Sequence, residues 1–450
     1  MKNIKIATIL PYKENYTFSK AQAAAIWVSD FYKYSKFKSS NDIFGHTANK
    51  DFLTNNYINI KLKNINSKLS STTLEYCKKF IEINDKKKYD IIEIHNRPFV
   101  FAYLKKKIKC KFILYYHNDP LSMKGSISIN ERLKILNDVD KIVFISKWVQ
   151  KRFFNGLDDK LLTKTEIIYH SIQKGGKLGI KKKYITFVGK LNRSKGYDIY
   201  KDAITKILNE HKDWKGFSIG DESRERPIIN HKLHFELGFL KHKKVLEFLK
   251  KTEIAVVPSR WEEPFGRTAL EASSCACATI ISNRGGLPET SDYCIVLKEL
   301  NSKELYKSIK KLVLDSRLRK EIQIKSFKNV KHLIASNTSK IDNLRERLIY
   351  RFKLNINKNK LRIINIYNTG QKINHRLYNI SLGKKFTNGF IRNGHDVIEI
   401  SDRDFLKQNR DLFFKNNEKF QKYLLETYKN YNPDLLFFGH TKNIAYETLD

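Results

Sequence analysis

The 450 residues exceed what one ordinary core organises, so two or three domains are expected. Hydrophobic residues at 41% and aromatics at 12% can build packed cores and exclude a globally disordered chain. The 86 Lys and Arg against 47 Asp and Glu give a formal charge of +39, which attracts anions such as nucleotides, phosphorylated glycans, acidic lipid surfaces or nucleic acid.

The basic residues are spread along the chain among abundant Asn and Ile. Compositional drift and solvated lysines explain them better than a dedicated polyanion site. Cys77, Cys110, Cys275, Cys277 and Cys294 are odd in number and read as core, which fits a reducing cytoplasm rather than a disulfide framework. Cys275 and Cys277 lack a zinc spacing. The charged start Met1–Ala7 leads into a strand-like stretch with no long apolar run, so neither a secretory signal nor a membrane span is expected.

In chain order, Ile4–Leu10 reads as a buried strand and Ala21–Tyr34 as a helix. Asp90–His95, Phe112–Tyr116 and Lys141–Ile145 are further strands with helical stretches between them, the pattern of βαβ units on a parallel sheet. The first domain is placed at residues 1–172. Lys174–Gly179 is a Gly-rich basic link. A second series follows over 183–335: strands Tyr184–Val188, Gly216–Ile219, Ile254–Pro258 and Thr279–Ser282, with helices Tyr197–Asn209, Lys243–Lys250 and Gly266–Cys275. Helical stretches Ser302–Leu314, Arg317–Ile334 and Thr338–Tyr350 close it, the last as a C-terminal helix and linker over 336–355. Two α/β halves leave a cleft at the carboxyl ends of their strands, where ligands of such sheets bind. A third block, 361–450, has strands Leu361–Tyr367, Val397–Ile400 and Asp434–Phe438 and helix Gly383–Asn393. It reads as a partial α/β domain or the start of a truncated one.

Three segments carry chemistry. Phe187–Gly196 runs from a strand into a turn holding Gly189, Lys190, Arg193 and Lys195, suited to a phosphate at a helix start. An ordinary turn with solvated lysines is the plainer alternative. In Val256–Ala272, Pro264 keeps Glu263 extended, Gly266 permits close backbone approach, and Glu271 falls inside the following helix. Both acids have an innocent helix partner in Arg267. Ser282–Thr290 places Gly285 and Gly286 in a tight loop after a strand.

Together, and in this order, the three segments resemble the C-terminal domain of glycosyltransferase family 4, of the GT-B fold. The resemblance covers roughly residues 1–350. It implies an α/β protein with two Rossmann-like domains facing across a cleft, plus the partial third α/β domain. By the family's pattern, Glu263 stands near the transferred sugar and Glu271 on the ribose hydroxyls. Lys190 and Lys195 stand on the donor diphosphate, with Lys190 in place of the usual arginine and Arg193 as a compensating cation. Backbone amides of Phe265, Gly266 and Arg267 cradle phosphate or sugar, and Gly285 and Gly286 match a glycine pair. His117 in Tyr115–Pro120 faces the donor sugar. His95, Asn96 and Arg97 are candidate acceptor contacts, and Ser146-Lys147 opens a helix in the cleft. The usual glycine pair after the first strand is missing from Pro11–Ala21.

The implied activity is transfer, with retention, from a UDP- or GDP-sugar to a glycan or lipid-linked acceptor in surface polysaccharide or lipopolysaccharide synthesis. No cofactor and no metal are implied. Glu263, His117 and Lys195 are the catalytic candidates. The expected place is the cytoplasm, with peripheral contact to the anionic inner leaflet. Residues Asn388–Val397 resemble the opening of a second GT-B glycosyltransferase. Rival readings are an inactive sugar-nucleotide-binding scaffold or phosphorylase and a nucleic-acid-binding protein, for which no module is present. A dinucleotide-dependent oxidoreductase would need glycine partners that Gly189 lacks.

Overall fold

The computed structural model describes residues 4–62, 71–173, 179–224, 227–350, 360–368, 381–410, 417–439, 441, 443–445 and 448. Most of the predicted link Lys174–Gly179, and the linker beyond Tyr350, lie outside these residues. The chain divides into two compact units, Met1–Ile349 and Tyr350–Asp450.

The first unit holds two parallel sheets. The first has β1 (Ile6–Ile9), β2 (Asn41–Gly45), β3 (Tyr57–Asn59), β4 (Ile91–His95), β5 (Lys111–Tyr116), β6 (Lys141–Phe144) and β7 (Thr165–Ile167) in the order β3-β2-β1-β4-β5-β6-β7. Its helices are α1 (Ala23–Tyr34), α2 (Thr72–Lys87), α3 (Pro98–Lys105), α4 (Ile129–Asp138) and α5 (Lys147–Phe153). β1 and β4 are buried along their whole length, as expected of strands covered on both faces. β2 escapes sequence reading because Asn, Asp and Gly interrupt its apolar pattern. It forms by pairing with β1, and Asn41 Oδ1 accepts a buried hydrogen bond from Thr8 Oγ1.

The second sheet has β8 (Lys182–Val188), β9 (Lys215–Ile219), β10 (His234–Glu236), β11 (Thr252–Val257), β12 (Ala278–Ile281) and β13 (Ile295–Val296) in the order β10-β9-β8-β11-β12-β13. Helices α6 (Tyr197–Glu210), α7 (His242–Lys251), α8 (Arg267–Ser274), α9 (Ser302–Leu314) and α10 (Ser316–Lys328) accompany it. Its core joins α6, α9 and the strands through Tyr200, Ile204, Ile254 and Leu305.

The predicted helix Arg317–Ile334 is broken. Leu333 pairs with Ile172 as a parallel bridge, so α10 stops at Lys328 and α11 (Ile334–Tyr350) begins afresh. α11 returns to the first lobe. Arg345 Nε and Nη2 donate to Glu93 Oε1 and Oε2 at 2.8 and 2.7 Å, with both side chains buried. Asp342 accepts from Ser35 Oγ at 2.7 Å and Lys36 N at 2.9 Å. The last helix of the unit thus completes the lobe that begins it.

The second unit carries a parallel sheet of β14 (Arg362–Tyr367), β15 (Asp396–Ile400) and β16 (Leu435–Gly439) in the order β15-β14-β16. Helices Leu382–Arg392, Asp402–Gln408 and Glu418–Tyr431 accompany it. Its first strand is central, as β1 is between β2 and β4.

Candidate functional site

All strands of both sheets in the first unit run parallel, so their carboxyl ends gather the loops that follow them at one edge. A cavity of about 770 Å³ opens there. The second lobe lines it with Gly189, Lys190, Asp221, His242 and Glu271, and the first lobe with Phe18, Lys20 and Asp30. The segment lacking the usual glycine pair, Phe18–Ala21, therefore still reaches the cleft.

The Glu263 segment is locked by the glycine loop. Gly286 N donates to Glu263 O at 2.7 Å, and Gly285 N to Glu262 Oε2 at 2.6 Å. A Cβ on Gly285, whose φ is +59°, would stand 2.1 Å from Glu263 O. No other residue type fits without displacing that carbonyl. Gly266, at φ +99°, turns the chain into α8, and a Cβ there would meet Leu287 at 2.4 Å. Phe265 between them is buried.

The side chain of Glu263 is held from the turn that follows β8. Lys195 Nζ donates to Glu263 Oε1 at 2.5 Å, and Ser259 Oγ donates to the same oxygen at 3.0 Å. Asn192 caps the short turn that carries Lys195. The structure therefore brings together Lys195, Glu263, Gly285 and Gly286, which the sequence holds far apart. Lys190 is exposed on the cavity wall. Arg193 is turned away: its side chain is 84% exposed and faces Asp198, which Arg260 also grips. Like Lys195 and Glu263, it is not among the residues that line the cavity.

Glu271 sits at a crossing of charges. Arg267 Nε donates to its Oε1 at 2.7 Å, and His242 Nε2 lies 2.8 Å from the same oxygen. Arg267 Nη2 reaches across to Asp30 Oδ2 of the first lobe at 3.1 Å. Burial pushes the Glu271 carboxyl upward, but Arg267 and His242 outweigh it and hold the pKa at about 2. The helix pairing with Arg267 and a place on the cavity wall coexist in one residue. His242 and Asp30 were not legible in the sequence, because each acts only through a contact with another lobe or helix.

In the first lobe, His95 Nδ1 and His117 Nε2 lie 2.8 Å apart, both rings buried. Burial, and then Arg345, push the His95 pKa down to about 3. Burial, and then His95, hold His117 well below the usual range. Both rings are neutral at physiological pH. His117 Nδ1 has no hydrogen-bond partner among the described residues. His170, unremarked in the sequence, stands edge-on to His117 with ring centroids 5.7 Å apart and stacks on Phe265 at 5.8 Å. Asn96 Oδ1 accepts from His117 N at 2.7 Å. His95 and Asn96 thus support His117 from inside, and of the three acceptor candidates only Arg97 is exposed. Ser146 Oγ donates to Pro264 O at 2.6 Å, and Glu289 accepts from Lys147 N and Trp148 N at the start of α5. The helix expected to open into the cleft starts against Pro264 and Glu289 of the second lobe and bonds the two lobes together.

Among the described residues, no group of three or more His, Cys, Asp or Glu is placed to hold a metal ion. No helix among them is long and apolar enough to cross a membrane.

Residues 171–329 match the family described as glycosyl transferases group 1. Spore coat protein SA of Bacillus subtilis is 26% identical over 237 residues, covering 45% of this chain and 62% of that protein. An uncharacterized 42.6 kDa protein in the cps region of Klebsiella pneumoniae is 27% identical over 207 residues, covering 41% and 54%. The chain therefore spans less than two thirds of the length of either relative. Anabaena HepE, solved in complex with UDP-glucose, superposes with a TM-score of 0.62 at 16% identity, covering 77% of this chain and all of that one. The match to the group 1 glycosyl transferases thus falls on residues 171–329, the second lobe, and the first unit has the GT-B fold.

Proposed function

We propose that the first unit is a retaining glycosyltransferase that moves a sugar from a nucleoside diphosphate to a hydroxyl of a glycan or lipid-linked acceptor. The observation that carries this reading is the meeting of Lys195, Glu263 and the Gly285-Gly286 loop in the same lobe whose Lys190 and Glu271 wall the cavity. Lys190 and Lys195 supply positive charge where a departing diphosphate gathers negative charge. Glu263 orients Lys195 and offers its carboxylate to the sugar, and Glu271 offers its second oxygen to the ribose. The leaving diphosphate takes the acceptor's proton, so no separate base is required. His117, neutral and with a free Nδ1, meets a sugar hydroxyl. The donor is the substrate and no cofactor takes part.

A UDP- or GDP-sugar is the expected donor, in line with the UDP-glucose bound by HepE. Surface polysaccharide or lipopolysaccharide is the expected product class, in line with the cps-region relative. The expected site of action is the cytoplasm, with peripheral contact to an anionic leaflet supported by the charge of +39. Thermal denaturation with UDP-, GDP- and ADP-sugars tests the donor, because a bound ligand stabilises by mass action. The matching sugar raises Tm and is consumed when a glycan acceptor is added. Stabilisation without consumption would favour the scaffold reading, and no stabilisation by any of them removes the proposal.

A further inference from the structure

A second pocket, of about 220 Å³, lies within the first lobe, lined by Tyr12, Lys13, Thr72, Thr73, Tyr76 and Arg97. It is separate from the donor cavity, yet tied to the histidine segment. Arg97 Nη1 donates to Asn96 O at 2.8 Å, and Asn96 in turn holds His117.

The pocket has two cations and no counter-charge in contact. Neither Lys13 nor Arg97 forms an ion pair with any described residue. One of the five guanidinium N–H groups is used on Asn96, leaving Nε and Nη2 as a fork matched to an oxyanion. Arg97 feels the field of Glu14, whose own carboxyl is pushed upward by burial despite a bond from the Ala25 amide. The Thr72 and Thr73 hydroxyls make no hydrogen bond within the described residues, while Tyr76 spends its hydroxyl on Leu10 O at 3.2 Å.

Backbone strain points to the same place. Lys13 has φ +78° and Asn96, next to Arg97, has φ +53°. Asn adopts this region readily, whereas a lysine there is uncommon and is held by the turn that lines the pocket.

We propose that this pocket seats an oxyanion of the acceptor, a phosphoryl or carboxyl group gripped between Arg97 and Lys13. The inference rests on the transfer reading above and narrows it: the acceptor is anionic and is recognised by its charge as well as its sugar. Two walls of the pocket, Tyr12 and Tyr76, pack ring against ring at 5.4 Å and leave the cations as its polar side.

The test is equilibrium dialysis of glucose 1-phosphate, glucuronate and methyl glucoside against the full chain, with no turnover required. At least one of the two anions binds about tenfold or more tightly than the neutral glucoside, as charge-assisted bonds imply. Arg97→Gln and Lys13→Gln each remove most of that preference, whereas Lys190→Gln in the donor cavity keeps it. Which anion wins separates phosphate from carboxylate. Equal binding of all three compounds overturns the proposal, and so does loss of the preference in Lys190→Gln alone, which would place the anion in the donor cavity. Failure of every nucleotide-sugar to stabilise the chain would strike the donor reading and leave this result standing by itself.

Discussion

The two lobes of the first unit build their halves of the cleft from opposite materials. The second lobe uses loops at strand ends: Lys190 and Lys195 on one, Glu263 on another, Gly285 and Gly286 on a third. Its working groups are charged and joined by short hydrogen bonds, as between Lys195 and Glu263. The first lobe puts Phe18, Lys20 and Asp30 on the cavity wall and keeps the neutral rings of His95 and His117 buried, with Asn96 bonded to the His117 amide. A phosphate needs charge that is exposed to it. The buried rings are held in place, whereas the exposed cations of the second lobe stay open to an anion.

The largest effect tests whether α11 belongs to the first lobe. Arg345→Leu leaves Glu93 buried without its partner and costs about 3–5 kcal/mol in urea unfolding. Adding Glu93→Leu returns much of the loss. A cost near that of a surface pair would mean that the helix is only an appendage. Next comes Glu263→Gln, which removes the charge that holds Lys195. Transfer falls on the order of 10²-fold at unchanged Tm. Unaltered transfer would remove Glu263 from the chemistry.

Acid separates the two lobes more finely. The folded histidines of the first lobe resist protonation, whereas in the unfolded chain they take up protons near pH ~6.5. Stability is therefore complete above that pH and falls below it, by up to about 1.4 kcal/mol per pH unit for each histidine. Glu271 has a depressed pKa of about 2. Its contribution is intact above the ordinary carboxylate range and is lost only as pH falls from there through about 2. Stability should thus begin to fall near pH ~6.5, well before Glu271 titrates, with His234 of the second lobe adding to the histidine slope. Unfolding free energies over this range check it: His95→Phe flattens the upper part of the slope, and an unchanged slope would mean that His95 does not carry it. The smallest effect concerns the cations of the phosphate turn. Lys190→Gln raises donor KM about tenfold, while Arg193→Gln changes it less than about twofold, since an exposed pair contributes little. Equal effects would put Arg193 back on the diphosphate.

Much of the second lobe was legible, and much of the first was not. Gly285 follows a strand in a Gly-Gly-Leu-Pro loop, which local turn chemistry marks, whereas the collision of a side chain there with Glu263 is a tertiary contact. Glu263, Gly266 and Glu271 are close in sequence and share a turn and helix. His170 gave no signal, because its meaning lies in touching His117 and Phe265, residues from two other segments. The exposure of Arg193 and its place near Asp198 were likewise not legible, because side-chain direction is not set by spacing along the turn. The strands β2 and β3 lacked an apolar pattern and needed β1 as a template.

By itself the amino-acid sequence determined the alternation of strand and helix, the parallel sheets and the loops that carry the phosphate and glycine segments. These follow from hydrophobic period, turn chemistry and proline and glycine placement, which act over a few residues. Only the tertiary structure decided that α11 closes the first lobe, that Arg267 links Glu271 to Asp30, and that Lys195 rests on Glu263. Apart from the Arg267–Glu271 pairing within α8, each of these is a contact between charged groups distant in the chain, and its strength depends on burial and distance, which no local pattern encodes.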